Sequence, residues 1–220
     1  VSDTHNMEMP NLPQEAPNNS PPVSLCSRDL LCWSFQIARA MDYLQARKVL
    51  HGDLAARNVL LSENNVVKIS DFGMAKDMYK NDLYQKKSNT PMPVKWMSVE
   101  ALQDGIFSTQ SDIWAFGVVL WEIFTLGRSP FHGLEVDEHF LQKLQNGLRL
   151  EKPKYAIKSI YDIMKNCWAL EPTERPSFIE LEQNIGKILN AVDKQFFDEH
   201  QEAELDPEPV PEYLNMVCSP

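Results

Sequence analysis

Three side chains that end in oxygen, Asp53, Asn58 and Asp71, follow one another in a short span of this sequence, close to runs of β-forming residues. His51-Gly52-Asp53-Leu54-Ala55-Ala56-Arg57-Asn58 lies between Val49-Leu50 and Val59-Leu60-Leu61, which places its polar residues on a loop between two short strands. Thirteen residues beyond Asn58, Asp71-Phe72-Gly73 ends the run Val66-Val67-Lys68-Ile69. Transfer of a phosphoryl group to a hydroxyl requires a carboxylate that orients the nucleophile and accepts its proton, together with oxygen ligands that hold magnesium against the phosphates. Asp53 fits the first role, and Asn58 with Asp71 fits the second. Singly, Asp53 reads as a turn cap, Asn58 as a loop amide and Asp71-Phe72-Gly73 as a chance tripeptide. Their joint occurrence, in order and in a strand-loop context, points to one site built from two loops.

The elements that must position these loops are legible as periodicities. Leu30, Trp33, Ile37, Met41 and Leu44 recur at three- and four-residue spacing, which predicts one face of a helix of about five turns beginning near Ser27. Asn64-Asn65, a pair tolerant of positive φ, predicts a hairpin between the runs at Val59 and Val66. From Asp71 to about Ala101 there is little periodicity, the mark of a functional or disordered loop. Ser111 is the expected N-cap of a helix through Asp112 to Trp121 that is apolar nearly all round, as centrally buried helices are, with Gly127 as its stop. Two further helices are expected at about 159–168 and 177–189, separated by Pro172 and Pro176. These elements predict a mainly helical body with one small hairpin.

With 220 residues and 43% hydrophobic content, the chain can bury one sizeable core. Nine of the fifteen prolines fall in residues 1–24 and 207–220, so both ends are expected to be disordered. Residues 191–220 hold eight Asp/Glu against the single Lys194, and most of the net charge of -10 therefore belongs to this tail. That balance argues against a nucleic-acid partner, and Trp96, Trp114, Trp121 and Trp168 are expected in the core rather than on a base-stacking platform. Cys26, Cys32, Cys167 and Cys218 show no metal-type spacing, so a reducing compartment is the simplest expectation. The longest charge-free apolar stretch, Ile113 to Trp121, is far short of the roughly 20 residues a membrane span needs. Val1 stands where an initiator Met would, so the chain is expected to be cut from a longer product.

Residues 25–190 resemble the C-terminal lobe of eukaryotic protein kinases, a protein-kinase-like α+β fold, and specifically of tyrosine kinases. Leu54-Ala55-Ala56-Arg57 carries the narrower likeness, because serine/threonine kinases usually place Lys two residues after the Asp, where Ala55 stands. The resemblance implies Asp53 as catalytic base, Arg57 near the transferred phosphate of ATP, and Asn58 and Asp71 as Mg2+ ligands. Pro93-Val94-Lys95-Trp96-Met97 resembles the segment that supports the substrate phenol. The likeness further implies structural roles for His51 as scaffold of the catalytic loop, for Asp112 as acceptor of that loop's backbone N–H groups, and for a buried pair of Glu100 with Arg175. The wording is most similar to the platelet-derived and vascular endothelial growth-factor receptor group, and among these to invertebrate members, which can also carry His-Gly-Asp. Residues 1–24 would then be the end of a kinase insert, and the chain the cytoplasmic part of a single-pass plasma-membrane receptor that dimerises on binding its ligand.

Gly52 departs from the family, which usually has an Arg there that pairs with phosphate on the activation loop. Tyr79 and Tyr84 remain as phosphate acceptors on that loop, which implies a weaker phosphorylation switch unless Arg57, Lys86 or Lys87 compensates. A second departure is that the sequence holds no Gly-rich phosphate loop, strand Lys or helix Glu, so these residues alone are expected to be inactive. Tyr213-Leu214-Asn215-Met216 resembles docking sites for Src-homology-2 adaptors and for the phosphoinositide 3-kinase regulatory subunit. A phosphotyrosine scaffold without catalysis is the rival reading, and retention of Asp53, Asn58 and Asp71 weighs against it.

Overall fold

The computed structural model describes residues 25–71, 76–77, 84–85, 92–137 and 139–204, with the backbone alone for 76–77, 84–85 and 196–204. The proline-rich stretch 1–24, Tyr79, the tail from 205 and Tyr213 lie outside the described residues.

Helix α1 (Ser27–Ala46) buries Leu30, Leu31, Ser34, Ile37, Ala38 and Met41 on one face, as their spacing requires. A turn through Lys48 leads into β1 (Val49–Leu50). The catalytic loop follows and closes in a single 3-10 turn, Ala56–Asn58. Strand β2 (Val59–Ser62) pairs antiparallel with β3 (Val66–Ile69), Val59 facing Ile69 and Ser62 facing Val66. Asn64 and Asn65 adopt φ of 63° and 58°, the left-handed backbone expected of this pair. Strand β4 (Lys76–Asp77) returns to pair with β1, and β5 (Tyr84–Gln85) pairs with β6 (Ile106–Phe107). Tyr84 thus has its backbone in a ladder, opposite Phe107. The short helix α2 (Val99–Asp104) precedes β6.

Helix α3 (Thr109–Phe124) is the axis of the fold, with Ser111 through Leu120 buried without a break. It begins three residues earlier than expected. Ser108 is the N-cap, its Oγ accepting from the Gln110 N–H at 3.2 Å. Ser111 is the N3 partner of that capping box, its Oγ accepting the Ser108 N–H at 3.0 Å. Two serines three residues apart satisfy two otherwise orphaned N–H groups reciprocally, which is why either reads as a cap in sequence. Gly117 lies where α3 meets the next long helix. A Cβ there would fall 2.6 Å from Trp168 Nε1 and 2.8 Å from Cys167 Cβ, so only a glycine permits this approach.

Helix α4 (Phe140–Gln145) was not foreseen, since six residues are too few to show a period. Helices α5 (Lys158–Cys167) and α6 (Phe178–Glu204) match the two expected near 159 and 177. Helix α6, however, continues past residue 190 into the stretch whose composition suggested a disordered tail. Ile185, Ile188, Leu189 and Val192 extend its apolar stripe onto the core, where α6 packs along α1. Arg28 of α1 adds an ion pair to Asp193, Nε to Oδ1 at 2.5 Å. Asp193, the first acidic residue of that stretch, is thus half-buried and turned to α1. Among the described residues no helix is long and apolar enough to cross a membrane.

Candidate active site

The catalytic loop is held from below by α3. Asp112, 3% exposed, accepts the backbone N–H of His51 on Oδ2 at 2.8 Å and that of Gly52 on Oδ1 at 2.9 Å. Burial pushes its carboxyl up to about 7, opposed by these two hydrogen bonds. His51 is fully buried, its Nε2 3.2 Å from the Ser70 carbonyl oxygen, while the Asp53 N–H donates to its Nδ1 at 3.2 Å. One nitrogen faces an acceptor and the other a donor, the arrangement of a neutral imidazole protonated on Nε2. Burial holds the His51 pKa below its ordinary value, in keeping with that form. The described hydrogen bonds of both side chains are thus made to the backbone around the loop.

Asp53, Arg57 and Asn58 come together above this scaffold. Arg57 Nη2 donates to Asp53 Oδ1. Asn58 Nδ2 donates to the Asp53 carbonyl at 2.7 Å and to Asp53 Oδ2 at 3.2 Å. With the amide nitrogen so committed, the side-chain Oδ1 of Asn58, as distinct from its main-chain carbonyl, is the atom that faces another ligand. The carboxylate of Asp53 keeps 16% of its surface exposed, enough to meet a hydroxyl.

Asp71 is brought to the same end of the molecule by Ser70, a residue not singled out in the sequence. The Ser70 N–H and hydroxyl both donate to the Asn58 carbonyl, at 2.8 and 3.0 Å. Asp71 itself is exposed, with φ at 58°. A non-glycine residue in this region is uncommon and strained, and such strain concentrates where backbone geometry serves a site. Phe72 and Gly73 lie outside the described residues. Two oxygen ligands from the chain suit magnesium, which keeps waters and binds through one or two carboxylates plus substrate phosphates.

The segment resembling a phenol support forms a 3-10 turn, Val94–Trp96. The guanidinium of Arg57 lies over the Trp96 ring, 4.7 Å from its centroid. Further out, Glu100 and Arg175 make the expected pair, buried at Arg175 but 18% exposed at Glu100, Nη1 to Oε1 at 2.6 Å and Nη2 to Oε2 at 2.8 Å. Burial alone would raise the Glu100 pKa, but the Arg175 hydrogen bonds win and hold it below the ordinary value.

A profile of the protein tyrosine and serine/threonine kinase family matches residues 9–185. The chain belongs to this family. It is 53% identical over 163 residues to vascular endothelial growth factor receptor 1 of Homo sapiens, an alignment covering 74% of this chain and 12% of the receptor. The corresponding receptor 1 of Mus musculus is 52% identical over 167 residues, covering 76% and 12%. Receptor 3 of Danio rerio is 50% identical over 184 residues, covering 83% and 14%. The chain therefore spans about an eighth of the length of the curated relatives it matches.

Within this kinase fold, the departure at Gly52 acquires a physical meaning. Its φ is 77°, a conformation that costs roughly 1–2 kcal/mol for a residue with a Cβ and nothing for glycine. A residue with a Cβ at this position would therefore strain the loop in the conformation it has here.

Proposed function

We propose that this chain is the catalytic half of a receptor tyrosine kinase domain, which transfers the γ-phosphoryl group of ATP to tyrosine of protein substrates. The observation that supports it most is the convergence of Asp53, Arg57 and Asn58 on one rim, with Ser70 tying the Asp71 strand end to Asn58. Asp53 orients the tyrosine hydroxyl and takes its proton as the oxygen attacks. Arg57 approaches the transferred phosphate, where its charge meets the charge that develops. Asn58 and Asp71 would hold magnesium, which would supply positive charge against the phosphates. The test is tyrosine phosphorylation of a peptide by the full-length protein with ATP and magnesium. EDTA is expected to reduce it to background, and transfer that persists in EDTA, or goes to serine instead, would overturn these assignments.

The receptor setting is part of the same proposal and rests on the likeness to growth-factor receptors. Residues 1–24 are then the end of an insert within the kinase domain, residues 25–190 the C-lobe, followed by the rest of α6 to Glu204 and then an acidic tail. The protein works at the plasma membrane with this part on the cytoplasmic side, as a dimer driven by an extracellular ligand. Tyr79 and Tyr84 are its activation-loop phosphate acceptors. Tyr213, once phosphorylated, docks Src-homology-2 adaptors and the phosphoinositide 3-kinase regulatory subunit through Asn215 and Met216. A phosphorylated peptide of residues 210–220 should bind such domains at least tenfold more tightly than the unphosphorylated peptide, as measured by calorimetry. Equal binding of the two forms would remove the docking role.

A further inference from the structure

Helix α3 carries one ionisable side chain, Glu122, that neither the transfer chemistry nor the loop scaffold has used. It is 8% exposed, and burial, although opposed by its hydrogen bonds and by Arg57, holds its carboxyl above the ordinary range. A carboxylate is costly to bury without donors, and Glu122 has two that come from separate segments. The Ala56 N–H reaches its Oε2 at 3.0 Å from the catalytic loop. Trp96 Nε1–H reaches the same oxygen at 2.8 Å from the segment beyond Pro93. Ala56 immediately precedes Arg57, and Trp96 is the ring on which the Arg57 guanidinium lies. Arg57 in turn donates to Asp53.

We propose that Glu122 is a positioning residue that aims Arg57 at the transferred phosphate, by clamping the backbone before it and the indole beneath it to one carboxylate oxygen on the rigid central helix. The inference rests on the kinase reading of the site. An Arg on a surface loop would otherwise sample many rotamers, since 44% of its side-chain surface is exposed. Fixing its backbone from one side and its stacking partner from the other leaves the guanidinium little freedom. Misplacement of a charged group by about 1 Å can cost a factor of roughly 100 in rate. Both donors converge on Oε2, so a glutamine whose amide oxygen takes that place can accept both.

The experiment uses the full-length protein with Glu122→Gln, Glu122→Leu and Trp96→Phe. Glu122→Leu should lower kcat for peptide phosphorylation by about 10- to 100-fold while KM for ATP changes less than about twofold. Glu122→Gln should stay within about threefold of the parent. Trp96→Phe keeps the ring but loses the Nε1–H, and should lower kcat with KM for ATP unchanged. It also guards against failure of Glu122→Leu to fold. Amide exchange at Ala56, followed on a peptide covering residues 54–59, should accelerate in Glu122→Leu and not in Glu122→Gln. Full kcat in Glu122→Leu, equal losses in the Gln and Leu variants, or unchanged exchange at Ala56 would each overturn the positioning role. A parent protein that transfers no phosphate would refute the kinase reading instead, and the exchange measurement would still judge the clamp.

Discussion

Replacing Asp53 by Asn is expected to lower phosphoryl transfer by about 100- to 10,000-fold, the range that a positioned general base contributes, with the fold intact. The amide is the same shape as the carboxylate but cannot take the tyrosine proton. It also no longer draws the Arg57 guanidinium, which now donates to Asp53 Oδ1. Stability should change little, because that pair is exposed on the Arg57 side and such pairs contribute about 0–1 kcal/mol. The Asn58 bond to the main-chain carbonyl of residue 53 at 2.7 Å does not depend on the side chain at all. The check is single-turnover phosphorylation beside circular dichroism on the same sample. Activity within tenfold of the parent would remove Asp53 from the role of base.

The largest expected effect on stability is at Arg175. Its side chain is completely buried and donates to both oxygens of Glu100, to the Gln110 carbonyl at 2.8 Å and to the Ala169 carbonyl at 3.0 Å. It joins α2, the start of α3 and the segment before α6, elements that no local periodicity connects. Arg175→Ala leaves a carboxylate and several carbonyls without donors, a loss of about 3–5 kcal/mol for one broken buried pair. Against a total stability of roughly 5–15 kcal/mol, that places the variant near unfolding. Glu100→Gln is the milder companion, because the amide oxygen still accepts one of the Arg175 bonds.

The pair also predicts a pH dependence. The Glu100 pKa is depressed in the folded protein, so its contribution is present above the unfolded value near 4.5 and is lost as pH falls through the folded one. Urea midpoints of a protein containing the complete kinase domain should therefore decline below about pH 4.5 in the parent. The decline should be shallower in Glu100→Gln, which has no carboxyl to protonate at this position. Identical acid profiles for the two proteins would show that the pair does not carry the dependence.

Several residues could be read from sequence because their meaning is local. Asn64-Asn65 implied a hairpin since few residue pairs accept positive φ twice in succession, and the structure has both there. The α1 face was visible as a repeat of three and four because a helix has only one way to bury Leu30, Ile37 and Met41 together. Asp53, Asn58 and Asp71 stood out by order and spacing around short strands, and the ties of Asp53 and Ser70 to Asn58 follow that order. Other features were hidden for equally physical reasons. The continuation of α6 past residue 190 reads as an acidic tail because acidic residues dominate its composition, while the described contacts that hold it, Val192 on the core and Asp193 on Arg28 165 residues earlier, are long-range. Glu122 in an apolar helix reads as a solvent-facing charge, since its donors lie 66 and 26 residues away along the chain.

The catalytic loop marks the division between the two levels. By itself the sequence determined which chemical groups it offers, a carboxylate, an amide and a guanidinium within six residues, while tyrosine as acceptor was implied by the resemblance that Ala55 and Arg57 carry. It also placed Gly52 at the position where the family resemblance led one to expect Arg. Only the tertiary structure decided how those groups are aimed. Asp112 holds the backbone of His51 and Gly52, Ser70 ties Asn58 to the strand before Asp71, and Glu122 joins Ala56 to Trp96 under Arg57. The physical reason is the range of the forces involved. Backbone propensity and side-chain chemistry act within a few residues, whereas a hydrogen bond 2.8 Å long between residues far apart in sequence exists only once the core has folded and brought them together.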